Sequence, residues 1–442
     1  MLVNRRNFLK SGLLGSAGIF LSSPVSALPR FSLNQDTSAI TVSFCGTSCS
    51  RDEGEVSRKD SDKNIYLPST GYIPVRIIKE LNGFGKSVRG CGENDWATSQ
   101  TSEPLLINGP LIIPKSLKSD ISDYINGDQH SLIEAAKGHS MPALALHGAN
   151  ISAASKAETI NFIGHSRGAC EAIIAAWFLY AYGDEKVRNT PINIFAIDPV
   201  PGFGAWYGLL TQLPPNVANY VGVYAWDMSN NINSIDHAFQ AVVPRPNGRM
   251  RGEDNEIHIH DQSWFNWLKR EPSWSVMANE AQQKDPLAPD DNYPQPQGYE
   301  LYACRGRHGT VAGNTTADGG YDTKNLNSNV AAVPELIYKM ARGYLTQWGS
   351  QFSTPCAVET DVLALRQHIH MFHREFDLMG GGETRTSKLT GRPYVRRISS
   401  IHGYRPSNTY YMEDVVGNPP YKLSYPVTTE RQGKGWVNWK FL

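Results

Sequence analysis

The chain has 442 residues, 40% of them apolar and 19% charged, which is an ordinary globular composition with length enough for one large domain or two. Lys and Arg number 42 and Asp and Glu number 42, so no overall field draws the protein to nucleic acid or to anionic lipid, and recognition is left to local chemistry. Six cysteines, at 45, 49, 91, 170, 304 and 356, are too few and too scattered for a disulfide-built scaffold. In an exported protein Cys45 and Cys49 could pair with each other, or either with Cys91, and buried free thiols fit the spacing equally.

The N-terminal stretch "NRRNFLKSGLLGSAGIFLSSPVSALPR" carries Arg5-Arg6, then Phe8-Leu9-Lys10, then a mildly apolar run. It resembles a twin-arginine export signal, with Val25-Ser26-Ala27 as the small-residue cleavage site. Residues 1–27 are therefore expected to be a leader recognised by the twin-arginine machinery, with a mature chain from Leu28 in the periplasm or secreted. The alternative is an uncut anchor, but the apolar run is shorter than the ~20 residues that span a bilayer. No later segment qualifies as a membrane span.

From Ala39, "AITVSFCGTSC" reads as a buried strand that breaks at Gly46, and "IPVRIIKELNGFG" as a helix stopping near Gly83. Residues 93–130 have no clean period. "SLIEAAKGHS" reads as a helix. "ASKAETINFIGHSRGACEAIIAAWFLYAYG" then predicts helix, strand, turn and a long alanine-rich helix ending near Gly183. Strands follow at 192–200, "INIFAIDPV", and 219–227, "NYVGVYAWD". Strands alternating with helices predict a mostly parallel sheet with helices on both faces. The polar, proline-containing stretch at about 229–297 reads as a surface linker or the edge of a cap-like insertion. Late helices are expected in "VAAVPELIYKMARGYLTQWG" and "TDVLALRQHIHMFHREFDLM".

Ser166 stands in Gly164-x-Ser166-x-Gly168, directly after an apolar strand and before a helix rich in small residues, which is the setting of a nucleophile elbow. The two glycines remove side chains that would crowd the turn, and the helix start presents N–H groups to a developing oxyanion. A hydroxyl needs a base and the base an orienting carboxylate. Asp198 ends the next strand, in "FAIDPVPG", and His308 sits among glycines in "YACRGRHGTVAG". Asp227, ending "VYAWD", is the alternative acid. His165 adjoins the serine and is expected to point away from it, as a packing residue. The pairs His258/His260 and His370/His373, with His368 nearby, have conceivable metal spacing, although solvated or satisfied histidines are the favoured reading. No metal or cofactor is required.

These stretches together resemble the α/β-hydrolase domain of the type VI secretion lipase effectors and their bacterial relatives. The matching residues are Phe44-Cys45-Gly46-Thr47 after the first strand, Gly164-His165-Ser166-Arg167-Gly168-Ala169 at the elbow, Ile197-Asp198-Pro199-Val200, Tyr224-Ala225-Trp226-Asp227, and Gly306-Arg307-His308 through Gly313. The similarity runs over roughly residues 40–345, with extra material between Gln240 and Gln297. Cys45 replaces an Asp that often precedes the glycine. The leader is foreign to injected effectors and favours a self-exported hydrolase.

The resemblance implies an α/β-hydrolase fold, a mostly parallel doubly wound sheet with a cap-like insertion. It favours Asp198 over Asp227 as the acid. The expected organisation is a leader at 1–27, a catalytic domain at 28–350 with its insertion at about 229–297, and a helical and irregular extension at 351–442 packed upon it. In the expected reaction Ser166 attacks an ester, His308 takes its proton, and Asp198 orients the imidazole. The N–H of Arg167 and one from Gly46 or Thr47 form the oxyanion hole. Trp206, Tyr207, Leu209 and Leu210, with Leu213 beyond, are expected at an acyl groove or lid, and aromatic tips there suit peripheral contact with a lipid surface. Lipase or phospholipase activity is the leading expectation. Other esterases or thioesterases on the same triad, and a non-catalytic exported binding protein, are the alternatives.

Overall fold

The computed structural model describes residues 39–56, 65–97, 104–122, 132–202, 208–226, 240–246, 249–250, 276–277, 297–315, 330–372, 397–399, 410–412, 416 and 439–442. The leader, and most of the expected insertion, lie outside them. At the centre is a seven-stranded sheet of β1 (Ala39–Phe44), β2 (Gly85–Val88), β3 (Thr159–His165), β4 (Ile192–Ile197), β5 (Val217–Ala225), β6 (Tyr299–Cys304) and β7 (Trp439–Phe441). Their order across the sheet is β7-β6-β5-β4-β3-β1-β2, and every neighbouring pair is parallel. The fold is thus α/β, and all seven strands present their C-terminal ends at one edge.

The strand sequences explain this placement. β4, Ile-Asn-Ile-Phe-Ala-Ile, is buried along its whole length, as a central strand covered on both faces must be. Successive residues alternate between two apolar clusters. Ile192, Ile194 and Ala196 join Phe44 and Phe162 in one, together with helices α2 (Met141–Ser155) and α3 (Arg167–Tyr182). Phe195 and Ile197 join Ile163 in the other, with helices α1 (Ile73–Glu80), α4 (Ala332–Gln347) and α5 (Val362–Met371).

Several elements differ from the sequence expectation, each for a physical reason. α2 has no amphipathic period to find, because eleven of its residues are buried and a helix covered all round carries no polar stripe. β2 and the helix Lys115–Ser122 were not expected, the first because four residues are too short to show alternation. The expected boundary at 350 falls within the sheet, six of its strands before it and one after. β7 comes from the last residues of the chain and pairs Trp439–Phe441 with Leu301–Ala303, so the C-terminal extension completes the sheet rather than only packing upon it. Lys440 ties this edge by donating to Glu300 at 2.7 Å, and Arg366 of α5 donates to the Phe441 carbonyl at 2.9 Å.

At the N-terminal edge of the sheet a polar row crosses four strands. Thr41, Asn161, Asn193 and Asn219 are register partners in turn. The Asn219 amide donates to Asn193 at 2.7 Å, Asn193 to Asn161 at 2.8 Å, and Asn161 to Ser350 Oγ at 2.9 Å, whose hydroxyl also meets Thr41 at 2.8 Å. The six cysteines are free thiols, five of them buried. Among the described residues no helix is long and apolar enough to cross a membrane.

Candidate active site

Ser166 lies between β3 and α3 with φ 58° and ψ −126°, a conformation that costs a non-glycine residue on the order of 1–3 kcal/mol. Its N–H donates to the Ile197 carbonyl at 3.0 Å, while its own carbonyl accepts from Ala169 and Val200 at 3.1 and 3.3 Å, so the turn is over-determined. The flanking glycines are required by space. A Cβ on Gly164 would lie 2.4 Å from the Gly168 carbonyl oxygen, and one on Gly168 would lie 2.2 Å from that of Phe44. The motif is therefore a close contact of three backbones, β3, α3 and β1, with the serine projecting from it.

Asp198 follows β4 directly, also at positive φ, 44°, and His308 follows β6. Parallel strands bring all three to the same sheet edge. His308 Nε2 is 2.9 Å from Ser166 Oγ, and His308 Nδ1 is 2.7 Å from Asp198 Oδ2. A carboxylate accepts, so Nδ1 carries the ring proton and the bare Nε2 faces the serine hydroxyl. Asp198 is fully buried, and its Oδ1 accepts the Ala225 N–H at 3.2 Å. Hydrogen bonds of this kind favour the ionised carboxylate that burial alone would disfavour.

The donors expected around an oxyanion are only partly free. The Gly46 N–H donates to Tyr72 Oη at 2.8 Å, which removes it from the expected set; the reason is a tyrosine supplied by the start of α1. Among the described residues the N–H groups of Thr47 and Arg167 make no hydrogen bond. Arg167 is the first residue of α3, where N–H groups have no intrahelical partner. Its side chain is buried and orders the surroundings. The guanidinium donates to Thr47 Oγ1 at 2.9 Å, to the Pro201 carbonyl at 2.8 Å, and to the Ala135 and Ala136 carbonyls. Gly138 and Gly202 press against it, both with positive φ. One residue thus offers a backbone donor and holds the loop carrying the other.

Three residues at the site escape a linear reading. Tyr72 and His165 form a hydrogen-bonded pair at 3.0 Å, and His165 lies against His308 with ring centroids 4.7 Å apart and planes inclined by 37°. His165 was expected to point away as a packing residue; its ring instead lies against that of His308, the partner of the serine hydroxyl. Glu171 lies one turn into α3, fully buried, accepting from Cys91 Sγ at 3.4 Å, and burial pushes its carboxyl well above the usual carboxylate range. A charged residue followed by apolar ones, in "CEAII", was the available signal.

Of the remaining expectations, Asp227, Trp206, Tyr207, His258, His260 and His373 lie outside the described residues. Leu209 and Leu210 are not exposed at a groove. They are 1% and 0% exposed within the first apolar cluster, because their short 3₁₀ turn packs over Trp177, whose indole N–H donates to the Leu209 carbonyl at 3.1 Å. Leu213 is buried with them. His370 is also buried, near Phe441. No group of three or more His, Cys, Asp or Glu among the described residues is placed to hold a metal ion.

No family model matches the chain, and no curated protein does. A crystal structure of an uncharacterized protein from Pseudomonas aeruginosa aligns with 78% of this chain and 51% of its own, at 11% identity and a TM-score of 0.35. The chain spans about half the length of that protein, and a likeness this slight bears on neither mechanism nor substrate.

Proposed function

We propose that this protein is a serine hydrolase of carboxylic esters, built as an α/β-hydrolase with a doubly wound sheet and a cap-like insertion. The observation that carries the reading is the unbroken line Ser166 Oγ, His308 Nε2, His308 Nδ1, Asp198 Oδ2, with links of 2.9 and 2.7 Å. In the reaction, His308 takes the hydroxyl proton as Ser166 Oγ bonds to the ester carbonyl carbon. Asp198 stabilises the imidazolium without itself being protonated. The carbonyl electrons move onto oxygen, where the N–H groups of Arg167 and Thr47 meet them, each such donor lowering the barrier by roughly 2.7–4 kcal/mol. Collapse expels the alcohol, which leaves with the proton held by His308. Water, activated by the same histidine, then releases the acid and restores Ser166.

Lipid esters are the proposed substrate class, and a lipase or phospholipase exported by the twin-arginine pathway to the periplasm or beyond is the proposed whole. Support for the lipid class is the aromatic stretch around Trp206 and Tyr207 together with the family resemblance; Leu209 and Leu210 no longer contribute to it. The test is hydrolysis of p-nitrophenyl esters of increasing chain length and of phospholipid vesicles by the chain from Leu28 and by Ser166→Ala. The variant should lose ~10⁴-fold or more in turnover. A variant as active as the parent would remove the hydrolase reading. Confinement of activity to short acyl chains would replace the lipid class with a general esterase.

A further inference from the structure

We propose that Tyr72 and His165 are positioning residues for this reaction, a buried bridge that fixes the loop carrying the base relative to the loop carrying an oxyanion donor. The inference rests on the hydrolase reading above. The bridge runs from the Gly46 N–H to Tyr72 Oη at 2.8 Å, from Tyr72 Oη to His165 Nδ1 at 3.0 Å, and from His165 Nε2 to the His308 carbonyl at 3.0 Å. It joins residue 46, next to Thr47, with the main chain of the base itself.

The direction of every hydrogen follows from one end. A carbonyl only accepts, so His165 Nε2 carries the proton and Nδ1 is bare. Nδ1 therefore accepts from the tyrosine hydroxyl, whose lone pair is left to accept the Gly46 N–H. Each atom of the chain has one role, and no second arrangement satisfies all three links. Tyr72 is 1% exposed and His165 7%, so water does not compete for them.

The space around the bridge is closed as tightly as its bonding. A Cβ on Gly46 would come within 2.9 Å of His165 Nδ1 and 3.1 Å of Tyr72 Oη, so the strand end must be bare for the two side chains to reach each other. His165 also lies against the His308 ring, and it is this ring that gains a positive charge during the reaction. A neutral neighbour tolerates that charge. Burial and the adjacent His308 hold the His165 imidazole down to about 3, so it stays neutral throughout the working range and acts by holding geometry, not by moving protons.

The experiment compares Tyr72→Phe, His165→Ala and His165→Gln with the parent and with Ser166→Ala, using p-nitrophenyl butyrate for kcat and KM and ¹⁵N-histidine NMR for the ring. Displacements below an ångström at a base cost on the order of 10-fold in rate, so Tyr72→Phe and His165→Ala should lower kcat by about that factor with KM nearly unchanged. His165→Gln, which can donate to the His308 carbonyl and accept from Tyr72, should recover most of the loss. The double variant Tyr72→Phe/His165→Ala should be no worse than His165→Ala, because both break one bridge. The His165 spectrum should show the Nε2–H tautomer unchanged from pH 5 to 8.

Parental kcat in Tyr72→Phe and His165→Ala, losses confined to KM, independent addition in the double variant, or a titrating His165 would each overturn the inference. If Ser166→Ala is inactive while the bridge variants are normal, the bridge alone is wrong. If Ser166→Ala is fully active, the hydrolase reading falls and the bridge with it. Should a variant fold poorly, the ring spectrum of the parent still decides the tautomer.

Discussion

The two edges of the central sheet both carry buried polar networks, yet they are built on opposite plans. At the N-terminal edge, Thr41, Asn161, Asn193 and Asn219 form a row of groups that do not titrate, in extended backbone, each amide donor meeting the next acceptor. At the C-terminal edge, Ser166 and Asp198 are held at φ 58° and 44°, where a hydroxyl, an imidazole and a carboxylate meet. The first plan ties each strand to its neighbour in one register. The second keeps a hydroxyl, an imidazole and a carboxylate in an arrangement that the surrounding strands must hold in place.

Substitutions at the two edges should separate activity from stability. Asp198→Asn leaves the shape of the site but offers His308 an amide in place of a carboxylate, which favours the wrong tautomer. Turnover should fall by roughly 10⁴-fold with little change in Tm. Retained turnover in that variant would return the acid role to Asp227. Asn193→Ala does the converse. It strands the Asn161 oxygen and the Asn219 amide, each cost being about 1–3 kcal/mol, while the folded protein should turn over at the parental rate. Denaturant titration beside an ester assay reads both quantities, and a loss of activity in the folded variant would join the two edges into one unit.

A smaller effect distinguishes the buried titratable groups themselves. Glu171 holds its proton in the folded protein at pH values where the unfolded chain, with an ordinary carboxyl near pKa ~4.3, has lost it. The folded state then binds more protons than the unfolded one, so this group's contribution is complete below that range and is lost progressively as pH rises through it. Glu171→Gln should therefore match the parent near pH 4 and gain Tm over it progressively toward neutral pH. His165 has the reverse sign. Its ring is held down to about 3, so the unfolded chain takes up a proton first as pH falls below ~6.5, and stability is lost on the acid side. Glutamine at 165 should flatten that acid limb. A Tm difference independent of pH for either variant would contradict the assignment.

Much of the site was legible because its three central residues each end a strand. Apolar runs located β3 and β4, the glycine pattern marked the elbow, and parallel pairing of β6 with β5 brought His308 to the same edge. What was not legible depends on packing between distant segments. Tyr72 immediately precedes α1 and meets His165 across 93 positions of sequence, and nothing local in "STGYIPV" announces that contact. The competition between Tyr72 and an oxyanion for the Gly46 N–H is equally a product of the fold. Leu209 and Leu210 mislead for the same reason, since an apolar pair next to an active site reads alike whether it lines a groove or fills the core beneath Trp177. The asparagine row was invisible because each Asn looks like an ordinary polar strand start until register places them side by side.

The most direct test of the account is reaction of the chain with a fluorophosphonate, followed by peptide mapping of the adduct, for the parent and for Ser166→Ala. Only a serine activated by a neighbouring base reacts readily with such a reagent. The account expects one adduct, on Ser166, absent from the variant and strongly slowed in Asp198→Asn. An adduct on another residue, or none on a folded parent, would contradict it.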